Sequence, residues 1–182
     1  MTGENSFIRL SSDGGTTQTD RISHWRVLWC PGGGGHVLFM QSQLTGGQVR
    51  IWSDNVGVTR WLQKTIETLL FPAFADPATP VATAAFGRQG GPWGTAVETV
   101  TAADARITLS WWDTLTPFVL NAPPGFNNRP IGVFSTFFPA RGAQIEMDGK
   151  VAKGLPWAET RGDRQSSSAC LAWSETWVKP KS

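Results

Sequence analysis

The chain contains no tyrosine, although it carries ten tryptophans and ten phenylalanines in 182 residues. Without a phenol, acid–base chemistry falls to His, Asp, Glu, Lys or Cys, and histidine is scarce as well, with only His24 and His36. The two histidines form no metal-ligating set with nearby carboxylates, so neither a metal nor a cofactor is expected. Cysteine is limited to Cys30 and Cys170, about 140 positions apart. That spacing forms no metal motif and gives weak support to a disulfide, so both are read as reduced, buried thiols. Charged residues make up 16% of the chain, the formal net charge is +2, and Lys and Arg are scattered. A nucleic-acid partner is therefore not expected. No apolar run approaches the roughly 18–20 residues that a helix needs to span a bilayer. The opening "MTGENSFIRLSSDGG" lacks the basic start and apolar stretch of a secretory signal, so a cytoplasmic location is expected.

What is present is a succession of short β-rich runs. Residues 1–20 are polar and rich in Gly, Ser and Thr, and read as a flexible N-terminal arm with at most a short strand at "FIRL". Residues 21–182 read as a single β domain. "RISHWRVLWC" and "HVLFMQS" flank "PGGGG" as a hairpin, and "QVRIWS" adds a third strand. The glycine run leads into a strand rather than a helix, so it is a turn and not a phosphate loop. In "SDNVGVTRWLQKTIETLLF", Val58, Trp61, Leu62, Thr65, Ile66 and Leu69 recur at helical spacing, with Arg60, Gln63, Lys64 and Glu67 on the other side. Ser53, Asp54 or Asn55 supplies the N-cap and Pro72 marks the end. Seven further strand-like runs come after the helix, ending in "SACLAWSETWV". The loops at 121–130 and 149–166 are long, as functional loops on a β scaffold often are. The expected fold is mainly β: a single antiparallel β-barrel or strongly bent sheet of about ten strands, with one amphipathic helix after the third and no βαβ units.

Alternation along the strands picks out candidate residues. With a five-residue loop at 31–35, Cys30 faces His36, and Trp25, Val27, Trp29, Val37 and Phe39 share the drier face, read as the interior. Cys30 beside His36 is a thiol–imidazole pair in principle, but a surface His beside a half-buried Cys is the plainer reading. Ile107, Leu109, Trp111 and Asp113 share a face, as do Leu171, Trp173, Glu175 and Trp177. A carboxylate between tryptophans in a dry cavity has its pKa raised, which suits a general acid or base near neutral pH. The alternative for Glu175 is a strand-exit carboxylate, either paired with an arginine such as Arg106, Arg129 or Arg141 or lying in solvent. For Asp113 it is a side chain capping the turn after its strand. Together, Glu175 and Asp113 would suit proton transfer or glycosidic chemistry. Trp25, Trp29, Trp111, Trp173, Trp177 and Phe39 either fill a core or line a pocket for a hydrophobic or aromatic small molecule.

An antiparallel barrel of this length, with an aromatic interior and one packed helix, resembles the calycin or lipocalin-like group over roughly residues 22–178. The resemblance is one of architecture; the nearest run to the group's first-strand Gly-x-Trp signature is "SHWRVLW". It implies a small-molecule-binding barrel with the 121–130 loop at its mouth. Two alternatives remain open. One is a cofactor-independent isomerase, hydro-lyase or cyclase using Glu175 and Asp113. The other is a structural or interaction domain with a filled core.

Overall fold

β-branched and aromatic residues alternating with polar ones pair into a large sheet, with Gly and Asp at the turns. The structure, a computed structural model, describes residues 1–180. Its strands are β1 (Thr2–Ser11), β2 (Gln18–Cys30), β3 (Gly33–Gln41), β4 (Val49–Ser53), β5 (Val81–Gly90), β6 (Ala96–Ala102), β7 (Arg106–Thr114), β8 (Phe118–Ala122), β9 (Gly132–Met147), β10 (Lys150–Val151), β11 (Ala158–Arg161), β12 (Arg164–Ser167) and β13 (Ala169–Val178). One helical segment lies between β4 and β5: α1 (Val56–Leu62), a π-turn (Gln63–Glu67) and α2 (Thr68–Leu70).

The main sheet runs β10-β9-β13-β1-β2-β3-β4-β5-β6-β7, and β7 pairs with β9 as well, linking the two ends of that order. The long β9 makes this possible. Residues 132–140 pair with β13, and residues 140–147 pair with β7. Strands β11 and β12 form a separate hairpin.

Several expectations change. Residues 2–11, assigned to a flexible arm, form β1, which is hydrogen-bonded to β2 on one side and β13 on the other. Its Ile8 and Leu10 are fully buried, which gives this polar-looking segment its place. The helix therefore comes after the fourth strand. It also acts as a crossover, because β4 and β5 pair in parallel while the other pairings are antiparallel. The stretch 149–166, expected to be a loop, contains β10, β11 and most of β12.

The glycine run makes a tighter turn than expected. Cys30 pairs with Gly33 and His36 with Arg26, so Cys30 and His36 are not opposite each other. A side chain at Gly32 would collide with the backbone of Gly57 in the first turn of the helix. The turn also receives a hydrogen bond from Asn55 Nδ2 to Gly34 O at 2.9 Å.

One face of the sheet is covered throughout, and the other is covered where the helix packs on β2, β3 and β4. One buries Ile8, Ile22, Leu38, Met40, Trp52, Leu109, Trp111 and Leu171 in a single cluster. The other packs Trp25, Val37, Phe39 and Ile51 against Val58, Leu62 and Ile66 of the helix and Phe74 after it. Trp25, Val27, Val37 and Phe39 do share a face, as expected, but it is the face beneath the helix. No helix is long and apolar enough to cross a membrane among the described residues.

Candidate functional site

Two local irregularities build the site. The first is a bulge in β13. Ala172 pairs with Phe137 and Ser174 with Thr136, so Trp173 is an extra residue that reverses the alternation. Leu171 and Trp173 therefore pack with the first cluster, while Trp177 turns to the helix-covered face. Glu175, two residues away, turns with Trp177. The second irregularity is the π-turn in the helix. A turn widened by one residue rotates the residues after it by about 100°. Glu67, placed on the solvent side by simple helical spacing, is thereby swung inward and fully buried.

The two carboxyls open onto one cavity of about 540 Å³. Its floor comes from β1, β2, β9 and β13, through residues such as Phe7, Ser23, Val133 and Trp177. The helix end (Glu67, Leu70), Leu120 of β8, Arg129 of the loop after it and residues 159–161 of β11 complete the wall. Arg129 bears on the expectation that the 121–130 loop lies at a mouth.

Each carboxyl is held by an indole. Trp177 Nε1 donates to Glu175 Oε1 at 2.6 Å. Trp25 Nε1 donates to Glu67 Oε1 at 2.7 Å, and Ser23 Oγ reaches the same oxygen at 3.1 Å. Glu67 Oε2 is buried and has no hydrogen-bond partner among the described residues. Ser135 faces Glu175 across the β9–β13 register and weakly favours its ionised form. Its hydroxyl nevertheless has no hydrogen bond of good geometry, so Trp177 is the partner that fixes Glu175.

Burial pushes both groups up to about 7, with the indole hydrogen bonds opposing the shift. Glu67 raises Glu175 further through like charge, while Arg21 and Arg161 act in the opposite sense on Glu67 and Glu175 respectively. Two nearby carboxyls poised close to neutral pH can divide the roles of acid and base between them.

The other residues singled out by alternation are dispersed. Asp113 has φ 54°, which takes it off the face of Leu109 and Trp111. It lies exposed at the end of β7, paired with Arg141 at 3.2 Å, and does not meet Glu175. Trp111 is buried on the opposite face, with Nε1 donating to Phe7 O at 3.2 Å. Trp173 lies there too, under the Arg88 guanidinium at 4.0 Å. Phe39 stacks on Phe74 beneath the helix, and Trp29 is exposed. Of the six aromatic residues, Trp177 lines the cavity and Trp25 reaches it through Glu67. Among the described residues no group of three or more His, Cys, Asp or Glu is placed to hold a metal.

Comparison with known proteins finds no matching family, no matching curated protein and no matching solved structure. What the structure shares with the calycin resemblance is a mainly-β sheet of many strands.

Proposed function

We propose that the protein acts on a small molecule by proton transfer, with Glu175 and Glu67 as the general acid and base. The observation that carries this reading is the pair of buried carboxyls, each with an indole donor, opening onto one cavity with both groups raised to about 7. Isomerisation and the addition or removal of water are reactions that such a pair serves without a covalent nucleophile from the protein. Oε2 of Glu67, buried without a hydrogen-bond partner among the described residues, is the carboxyl oxygen that Trp25 and Ser23 leave unengaged.

The scaffold is proposed to be a closed β-barrel. The β7–β9 pairing supports closure, as does a buried cluster drawn from all nine strands of the circuit. The site then lies outside the barrel wall, under the helix, rather than inside it. Binding of an apolar or aromatic body is favoured by Phe7, Phe137, Val133 and Leu120, in a volume typical of small-molecule sites.

Infrared difference spectra of the carboxyl C=O band between pH 5 and pH 9 test the acid–base assignment without a known substrate. Two carboxyls titrating near neutral pH are expected, one missing in Glu175→Gln and the other in Glu67→Gln. Titration of both below pH 5 would refute the assignment. With a substrate in hand, identified by mass spectrometry of what copurifies, either variant should lose roughly 100-fold or more in turnover while still binding.

A further inference from the structure

The cavity is lined by four arginines, Arg9, Arg21, Arg129 and Arg161, against three carboxyls. Only Glu159 is used in ion pairs there, with Arg9 at 2.6 Å and Arg161 at 3.9 Å. Arg21 and Arg129 make no ion pair among the described residues. Arg21 donates to Leu70 O at 3.3 Å and otherwise stacks on Phe71, 4.2 Å from the ring centroid. Arg161 stacks on Phe137 at 5.1 Å, and its buried Nε has no hydrogen-bond partner among the described residues. Arg9 is held over Trp157 at 5.2 Å.

Burial is the main cause that holds the Arg161 guanidinium below its usual range; Glu159 opposes it, and the like charges of Arg9 and Arg129 add to it by smaller amounts. Stacking on an aromatic ring occupies the face of a guanidinium and leaves its N–H edge for an acceptor. Three guanidiniums held over aromatic rings, Arg129 beside them, an unpartnered Nε–H and apolar lining residues make a wall suited to an anion.

We propose that the molecule bound in this cavity is an organic anion, an apolar or aromatic body carrying a carboxylate or phosphate group that the arginines hold. This names the substrate class for the proton-transfer reading and rests on the same cavity. The arginines fix the anionic group at the β11 and loop side, and the apolar body then lies along Phe7 and Val133 toward Glu175 and Glu67. Arg161 and Arg129 are substrate-binding groups on this account, distinct from the two carboxyls that move the proton.

The test is calorimetric titration of the full chain with benzoate and phenylphosphate, beside the neutral isosteres benzamide and benzyl alcohol. The anions are expected to bind about tenfold or more tightly than their neutral counterparts. Affinity should fall with added salt and should drop about tenfold or more in Arg129→Gln. Arg129 stands in a loop without an ion pair, so its loss leaves the fold intact. Arg161→Lys keeps the charge but loses the fork, and should weaken binding as well. Stronger binding of either anion supports the proposal, and the comparison of the two identifies the headgroup. Neutral isosteres binding as tightly as the anions, no anion binding at millimolar concentration, or unchanged affinity in both arginine variants would overturn it. The carboxyl titration is read separately, so the anion site can fail while the acid–base pair stands, or the reverse.

Discussion

Buried ionisable side chains set how this molecule answers pH. His24 lies opposite Ser6 in the β1–β2 register, and neither side chain has a hydrogen-bond partner among the described residues. Burial, with Arg88, His36 and Arg26 nearby, holds His24 at about 3, against 6.5 in an unfolded chain. Between those values the unfolded chain binds a proton that the folded chain refuses, so stability falls as pH falls. Glu67 and Glu175 act in the opposite sense. Their folded values of about 7 exceed the unfolded 4.5, so between them the folded chain keeps protons that the unfolded chain has lost. Stability therefore falls as pH rises through that window, by on the order of 3 kcal/mol for each group once fully ionised. Glu98, also raised by burial, acts in the same direction. Two carboxyls outweigh one imidazole between pH 4.5 and 6.5, so the melting temperature is expected to peak near pH 5 and decline by pH 8. Glu67→Gln and Glu175→Gln should each raise it at pH 8 and leave it little changed at pH 5. A melting temperature that climbs steadily from pH 5 to pH 8 would contradict this balance. The burial of Glu175 was legible in the strand alternation, though it shares its buried face with Trp177 and not with Trp173. That of Glu67 was not, because an α-helical period places it opposite Val58.

At the scale of elements, what escaped the sequence is what departs from regular geometry. Period two along "CLAWSETWV" joins Trp173 to Glu175, and only the bulge parts them. Nothing in a run of apolar and small residues marks where an extra residue enters. The "ETRGDRQSS" stretch has too few β-branched and aromatic residues to read as strands. It folds as the β11–β12 hairpin because Gly162, with φ 63°, supplies the turn. That hairpin carries Glu159 and Arg161 to the cavity. The helix start, by contrast, obeys its signals. Asn55 Oδ1 accepts from the Gly57 and Val58 amides at 2.9 and 3.4 Å. The same side chain ties the helix to the glycine turn. Asn55→Ala is expected to lower stability by about 1–2 kcal/mol, read as a lower denaturant midpoint with an unchanged slope. A shift of less than a few tenths of a kcal/mol would mean that packing of Val58, Leu62 and Ile66 sets the helix without its cap.

At the scale of the whole molecule, the first strand and the last are neighbours, and the site depends on their union. β1 lies between β2 and β13, so removing it leaves the facing edges of both strands unpaired. It also takes Ile8 and Leu10 from one core and Asn5, Phe7 and Arg9 from the cavity. The strand hides in the sequence because Gly3, Glu4, Asn5 and Ser6 are poor strand formers. Pairing along both edges and burial on both faces override that preference. A chain lacking residues 1–14 is therefore expected to lose cooperative unfolding and the near-ultraviolet signal of its packed tryptophans. A synthetic peptide of residues 1–14, added to the truncated chain, should restore both, since the gap between β2 and β13 offers a complete set of backbone partners. A peptide with Ile8→Asp should not, because it would place a charge in the core. If the truncated chain instead kept the full melting temperature, the sheet would not need β1, and the cavity would owe its floor to β2, β9 and β13 alone.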